Sequence, residues 1–434
     1  MPTGPILSES RPVRLFTFFL LYFGQGLPVG TATVGFTAWL AANGAPEADV
    51  AAIVAAAYLP WSFKFIPAAV MDRYAWLPMG RRRAWLIASQ ALMIAGFAIA
   101  ALIGPGPEDI QVILYIVFLI GTGSAIQDVA VDGLAVDILP EREQGTASAF
   151  MFGGQAVGIA VSGAAAGAGL QYLGSSTTFL LFLPVILIVT LWALIIKERP
   201  EEKRLPWSRG KASPVNLERH VGAWWPIAEA TFRSMIKPDS LKLLGAALLT
   251  RTAGGMITAM WPIIAVVGAG YTSAGFGAMF STAKLAMAVA AIAIGSLLTM
   301  RLGPRIATML VYLSLALLVL FILYGGSIWV GTVAFIVVSC LWALHDTVSS
   351  IVSNPLRMQL SDPNVAATQF TIYNSLSNLP VSLGATLYAI FGGTEELAQV
   401  VWTMVALLVA GSAVYGWMRI GSRHVEAEPV PVVN

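Results

Sequence analysis

The chain has 434 residues, of which 57% are apolar and only 11% charged, where a soluble domain carries about 25% charged. A fold in water cannot bury that much apolar surface, so the composition describes an integral membrane protein. A formal net charge of +2 leaves no concentrated basic face for nucleic acid. One cysteine, Cys340, and three scattered histidines, His220, His345 and His424, offer neither a disulfide nor a metal centre. The first apolar run is long and Glu9 precedes it, so no removable leader is expected. Continuous runs without two-residue alternation exclude a strand barrel.

A bilayer core of about 30 Å needs about 20 apolar residues per helix. Runs of that size predict twelve spans: 15–37, 48–70, 84–104, 111–134, 146–170, 177–196, 242–267, 275–299, 305–324, 328–352, 366–391 and 397–419. The predicted fold is all-α, with twelve transmembrane helices in two six-helix bundles. Residues 1–196 form the first bundle, 197–241 a cytoplasmic linker, 242–420 the second bundle and 421–434 a cytoplasmic tail. Within the linker, HVGAWWPIAEATFRSMI reads either as a plain connecting helix or as an interfacial one with Trp224, Trp225 and Phe232 toward lipid.

The basic residues test this map. Three of the 25 Lys and Arg fall inside spans: Lys64, Arg251 and Lys284. The other twenty-two fall in the N-terminus, the linker, the tail and the loops of one side. The six opposite loops, from ANGAPEAD to FGGTEELAQ, hold none. Positive loops stay cytoplasmic, which places both termini there, as an even number of spans requires.

The two halves also echo each other. AIQD at Ala125–Asp128 matches ALHD at Ala343–Asp346 at an offset of 218. GTASAF from Gly145 matches ATQFTI from Ala367 at 222, and the loop ending Gly80–Arg83 has a degenerate counterpart in Arg301–Arg305. Transporters built from such repeats bind substrate near the midplane, between halves that rock.

After the second span, MDRYAWLPMGRRR resembles the signature loop of the major facilitator superfamily, with Asp72, Arg73, Gly80 and Arg81 to Arg83 matching. LPWSFKFIPAAVMDRY, GRRRAWLIASQ, AIQDVAVDGLAVDILPEREQG and ATQFTIYNSLSNLP are similar to the branch of AmpG muropeptide permeases and acetyl-CoA transporters, to which some siderophore importers are also similar. The resemblance covers nearly the whole chain. It implies an inner-membrane secondary transporter, an AmpG-like permease working by alternating access without a cofactor. Its partners would be a small-molecule solute, protons and the bilayer, and the chain would act as a monomer. A muropeptide ranks first among solutes, then a siderophore, then acetyl-CoA; export is the alternative direction. In the family this loop acts as a latch, so gating is expected of Asp72, Arg73, Gly80 and Arg81. Arg82 and Arg83 are expected to enforce topology.

Ionisable groups inside a span are costly unless paired or hydrated, so each is a candidate site. Asp128, Arg251 and Asp346 share one depth, with Asp128 about 15 Å above the cytoplasmic end of its helix at 1.5 Å per residue. This suggests proton coupling through Asp128, with Asp132 or Asp346 as partner, and switching against a cation such as Arg251. The bland alternative is a bridge from Lys64 to Asp128 or Asp132 that locks spans two and four. Lys284 reads as a snorkelling residue or an entry-side anion contact. Substrate contacts are expected from Gln25, Lys64, Gln127, Arg251, Gln369 and Tyr373. Gln369 and Tyr373, four apart, share a helix face. No ATP-binding loop of the form GxxxxGK[ST] is present. A membrane transferase would need catalytic residues in a loop, where Glu108 and Asp109 of GPGPED are the outer candidates.

Overall fold

The computed structural model describes residues 4–218, 225–361 and 366–418. His220, Trp224, Arg419, Arg423 and His424 lie outside them. Sixteen α-helices occur among the described residues. The first half comprises α1 (Arg11–Gly30), α2 (Thr37–Ala42), α3 (Glu47–Ser62), α4 (Phe65–Arg73), α5 (Arg83–Ile103), α6 (Ile110–Ile138), α7 (Glu141–Tyr172) and α8 (Gly174–Ile195). The connection carries α9 (Pro214–Glu218) and α10 (Trp225–Met235). The second half comprises α11 (Pro238–Ile263), α12 (Ser273–Tyr324), α13 (Thr332–Leu360), α14 (Ala366–Leu376), α15 (Leu379–Ile390) and α16 (Leu397–Trp417).

Ten of these stretches are long and apolar enough to cross a membrane, against the twelve apolar runs, and two local breaks account for the difference. Runs eight and nine lie on the 52-residue α12, interrupted only where Gly303 takes φ 74° and ψ 157°. That backbone suits glycine, and Pro304 behind it starts the next helical turn without a missing donor. Run eleven is split at Ser377 and Asn378 into α14 and α15, each too short alone.

The first and seventh runs deviate in the same way. Pro28 in α1 is followed by a π turn over Thr31–Phe36, and Pro262 in α11 by a π turn over Ile264–Gly268. A proline removes a helical hydrogen bond and widens the turns around it. Glycine contacts repeat too. A Cβ on Gly26 of α1 would strike the Gln155 carbonyl of α7, and one on Gly158 would strike the Phe23 carbonyl. Gly255 of α11 and Val381 of α15, with Gly384 and Thr252, form the same reciprocal pair in the second half. Backbones this close gain dispersion and carry no side-chain bulk, the usual packing currency inside a membrane.

α7 packs along α12, and α3 along α15, which joins the two halves. Trp225 and Phe232 of α10 are exposed.

Gly158→Ala and Gly384→Ala should each lower stability by about 1–3 kcal/mol through overpacking. Gly153→Ala, with nothing within 4 Å of the added carbon, should leave it unchanged. Equilibrium unfolding in mixed micelles measures all three.

Candidate functional site

The helical path of the second run breaks at Phe63 and Lys64, between α3 and α4. The break turns the Lys64 ammonium toward α6, where it lies 2.6 Å from Asp128 Oδ2, both side chains less than a tenth exposed. Asp128 Oδ1 accepts from Gln25 Nε2 at 3.0 Å, and Gln25 Oε1 accepts from Gln155 Nε2 at 2.9 Å. One turn along α6, Asp132 accepts the Tyr22 hydroxyl at 2.5 Å. Lys64, Asp128 and Gln25 are buried, and a polar cluster therefore joins α1, α6, α7 and the α3–α4 break, with half-buried Gln155 and exposed Asp132 at its edges. Gln127 serves a separate seam: it accepts from Gln90 at 2.9 Å and donates to the Leu21 carbonyl at 2.7 Å.

The second half holds a matching pair. Lys284 of α12 lies 3.2 Å from Asp346 of α13. Lys64 and Lys284 are 220 residues apart, Asp128 and Asp346 218 apart, so the repeat carries the whole pair. Here the side chains are 27% and 35% exposed. They face a small pocket between the halves, the chamber of this fold, lined by Thr33 and Tyr58 from the first half and by Trp261 and Trp342 from the second. Lys284, expected as a snorkelling residue or an entry-side anion contact, is paired with Asp346.

Asp128 and Arg251 do not meet. Arg251 Nε instead reaches the Ser377 carbonyl at 3.4 Å, an acceptor freed by the break between α14 and α15. Gln369 and Tyr373 do share a face, but their polar atoms serve packing. Gln369 Nε2 donates to the Tyr373 hydroxyl at 2.8 Å, which donates to Ser240 Oγ at 2.6 Å, tying α14 to the start of α11. His345 sits between the Leu341 carbonyl and the Ser314 hydroxyl, at 2.8 and 2.9 Å.

At the end bearing the basic loops, Gly80 takes φ 101°, which lets the Glu198 carboxylate nest against the start of α5. Glu198 accepts from the backbone N–H groups of Arg81, Arg82 and Arg83 at 2.8–2.9 Å. These are the donors an α-helix leaves unsatisfied, where its dipole favours an anion. Arg81 and Arg82 lie 3.6 and 3.2 Å from Asp137 at the end of α6. Arg83 is fully buried and donates to the carbonyls of Leu194, Lys203 and Arg204 at 2.9–3.1 Å. Arg82 and Arg83 therefore do more than set topology: they dock the chain after α8 onto the signature loop. Arg73 is exposed, and the side chain of Asp72 lies outside the described residues. Nearby, Arg14 holds Glu143 of α7 through two nitrogens at 2.8–3.0 Å.

Three contacts close the opposite end, and the sequence reading missed them. Glu47, in the first turn of α3, accepts from the Tyr388 hydroxyl and from the hydroxyl and N–H of Thr394. Gln171 Oε1 accepts from Ser273 Oγ and Ala274 N at 3.1 and 2.9 Å, and Ser382 Oγ donates to the Ala55 carbonyl at 2.9 Å. Each joins one half to the other. The available signal was the Gly392–Gly393 pair, whose positive φ values fold the loop over Glu47.

The family model of the Major Facilitator Superfamily matches residues 15–385. The chain belongs to that superfamily. It is a multi-pass membrane protein of that superfamily, and the named curated relatives are a permease and a putative transporter. The anhydromuropeptide permease of Escherichia coli K12 is 30% identical over 163 residues, 36% of this chain and 32% of the permease. The match thus spans about a third of that curated relative. An uncharacterized protein of Haemophilus influenzae is 22% identical over 95% of this chain and 97% of its own. Among solved structures, the peptide transporter POT in complex with sulfate superposes with a TM-score of 0.69 at 13% identity, covering 95% of this chain and 96% of that one. At such identity the likeness concerns the fold.

Two outcomes are expected of this superfamily member. Lys64→Met or Asp128→Leu alone strands a buried charge and should cost about 3–5 kcal/mol, whereas the double variant should cost less than either; micelle unfolding of the three reads the coupling. At the signature loop, burial pushes Glu202 up to about 8, helped by the charge of Glu198, itself raised by burial. A raised carboxyl keeps its proton longer when folded, so its stabilisation is full below about pH 4.5 and is lost as the pH rises toward 8. The unfolding midpoint should fall across that window, and Glu202→Gln should flatten the fall.

Proposed function

We propose that the chain is a proton-coupled importer of the inner membrane with both termini cytoplasmic. It would cross twelve times as two six-helix bundles, 1–196 and 242–420, joined by the 197–241 linker. The observation that carries the coupling is the Lys64–Asp128–Gln25 cluster, a buried carboxylate paired with one ammonium on a helix break. A proton on Asp128 cancels the attraction that holds Lys64 in place, so the break between α3 and α4 is free to reorient. Asp132, four residues away on the same face and bonded to Tyr22, is the natural partner in that relay. Protonation is thereby tied to the segment leading into the signature loop, where Gly80 and Arg81 are held by Glu198 and where Arg73 and Asp72 flank the end of α4.

The three contacts at the opposite end keep that side shut, so the chamber belongs to the cytoplasmic side in this conformation. Import then needs the contacts of Glu47, Gln171 and Ser382 to part while the signature loop closes. The solute is a polar or anionic molecule, with a muropeptide the first candidate, as the similarity to the anhydromuropeptide permease supports.

Uptake into proteoliposomes with and without an imposed pH gradient tests the reading, with muropeptides as the first solutes. Asp128→Asn should abolish gradient-driven accumulation while leaving solute exchange partly intact. Full accumulation in that variant would remove Asp128 from the proton path.

A further inference from the structure

The two copies of the Lys–Asp pair have diverged in a way that assigns them different chemistry. Lys64 and Asp128 are sealed, and the second oxygen of Asp128 is taken by Gln25. Lys284 and Asp346 are about a third exposed, lie on two different helices and open on the chamber between the halves. The ammonium of Lys284 also sits 5.5 Å from the centre of the Phe280 ring, which holds it on the chamber wall.

Charge balance narrows what that wall accepts. A simple anion on Lys284 would leave Asp346 without its counter-ion within the membrane-spanning bundle. A simple cation on Asp346 would strand Lys284. Removing one partner of such a pair is the costly event. A solute that carries an ammonium and a carboxylate replaces both partners at once and strands neither.

We propose that Lys284 and Asp346 form the recognition site for a dipolar solute, specifically the free amine and carboxylate of an amino-acid or short-peptide portion. Lys284 takes the carboxylate and Asp346 the ammonium. Trp261 and Trp342 receive the apolar body, and the hydroxyls of Tyr58 and Thr258 hydrogen-bond its amides. Asp346 is thereby a binding residue, and the proton path stays in the first half. The inference rests on the transport reading only in taking the chamber as the solute's route, and it narrows a polar or anionic solute to one that is both anionic and cationic.

Isothermal titration calorimetry on the purified full chain in detergent tests it with three probes: trialanine, N-acetyl-trialanine and trialanine amide. Trialanine should bind at least about tenfold tighter than either capped form, as expected for loss of a hydrogen bond between charged groups. Asp346→Asn should reverse the preference toward the acetylated peptide, and Lys284→Met toward the amide. A purely structural pair would weaken all three probes in parallel. The proposal is overturned by that parallel loss, by a capped form binding the wild type as well as trialanine does, or by no probe binding. The wild-type series decides even where a variant fails to fold. Gradient-driven uptake of a muropeptide without trialanine binding would overturn the dipolar site and leave the transport reading standing; trialanine binding without gradient-driven uptake of any solute would do the reverse.

Discussion

An ammonium or a carboxylate placed in a lipid-walled interior must meet its opposite there, and much of this molecule is arranged around two such meetings. Lys64 with Asp128 and Lys284 with Asp346 occupy equivalent places in the two repeats. The cost of a lone intramembrane charge explains why the lysine and the aspartate were duplicated as a unit. It also explains why the backbone bends to serve them: α3 and α4 part at Lys64, and the gap between α14 and α15 leaves a carbonyl for Arg251. Helix breaks in a membrane are tolerated where neighbours re-satisfy the freed groups.

The remaining contacts distribute rigidity around those pairs. Glycine-to-carbonyl packing fastens α1 to α7 and α11 to α15, so each half can move as a body. Between the halves, the bonds described sit at one end, on Glu47, Gln171 and Ser382. Small polar contacts of that kind form and break at modest cost, about 0.5–1.5 kcal/mol each, which suits a closure that must open in every cycle. The signature loop is different. Its arginines are built into the docking of Glu198 and the following chain, and burying Arg83 among carbonyls makes that corner move with the first half as one piece.

Much of this was legible in the residues. Apolar run length located the helices, the one-sided Lys and Arg pattern sorted their ends, and AIQD against ALHD exposed the repeat. Depth counting picked out the right intramembrane charges, because rise per residue is nearly constant in a helix. It left their pairing open, since depth says nothing about rotation around the bundle: of the two partners expected for Asp128, Lys64 and Arg251, it is Lys64 that it meets. The lysines at 64 and 284 are 220 residues apart and the aspartates 218, a near match that marks the pair in the sequence. Gln127, Gln369 and Tyr373 look the same in sequence whether they face a ligand or another helix, and in the structure each is bonded to a neighbouring helix or to its own. Glu47 was hidden because its partners lie some 340 residues away, in a loop whose path depends on two glycines.

Access to the chamber is the most direct measure of the whole arrangement. With Cys340 replaced, a cysteine at Thr258 on the chamber wall and one at Ser124 beside the sealed pair can be challenged with a membrane-impermeant thiol reagent. Inside-out and right-side-out vesicles present the two faces separately. In the resting protein the cysteine at 258 should react only from the face bearing the basic loops, with solute protecting it, and the cysteine at 124 should react from neither. Labelling of position 258 only from the opposite face, or equal labelling of both positions, would contradict a chamber shared by the halves and closed at the end where Glu47 sits.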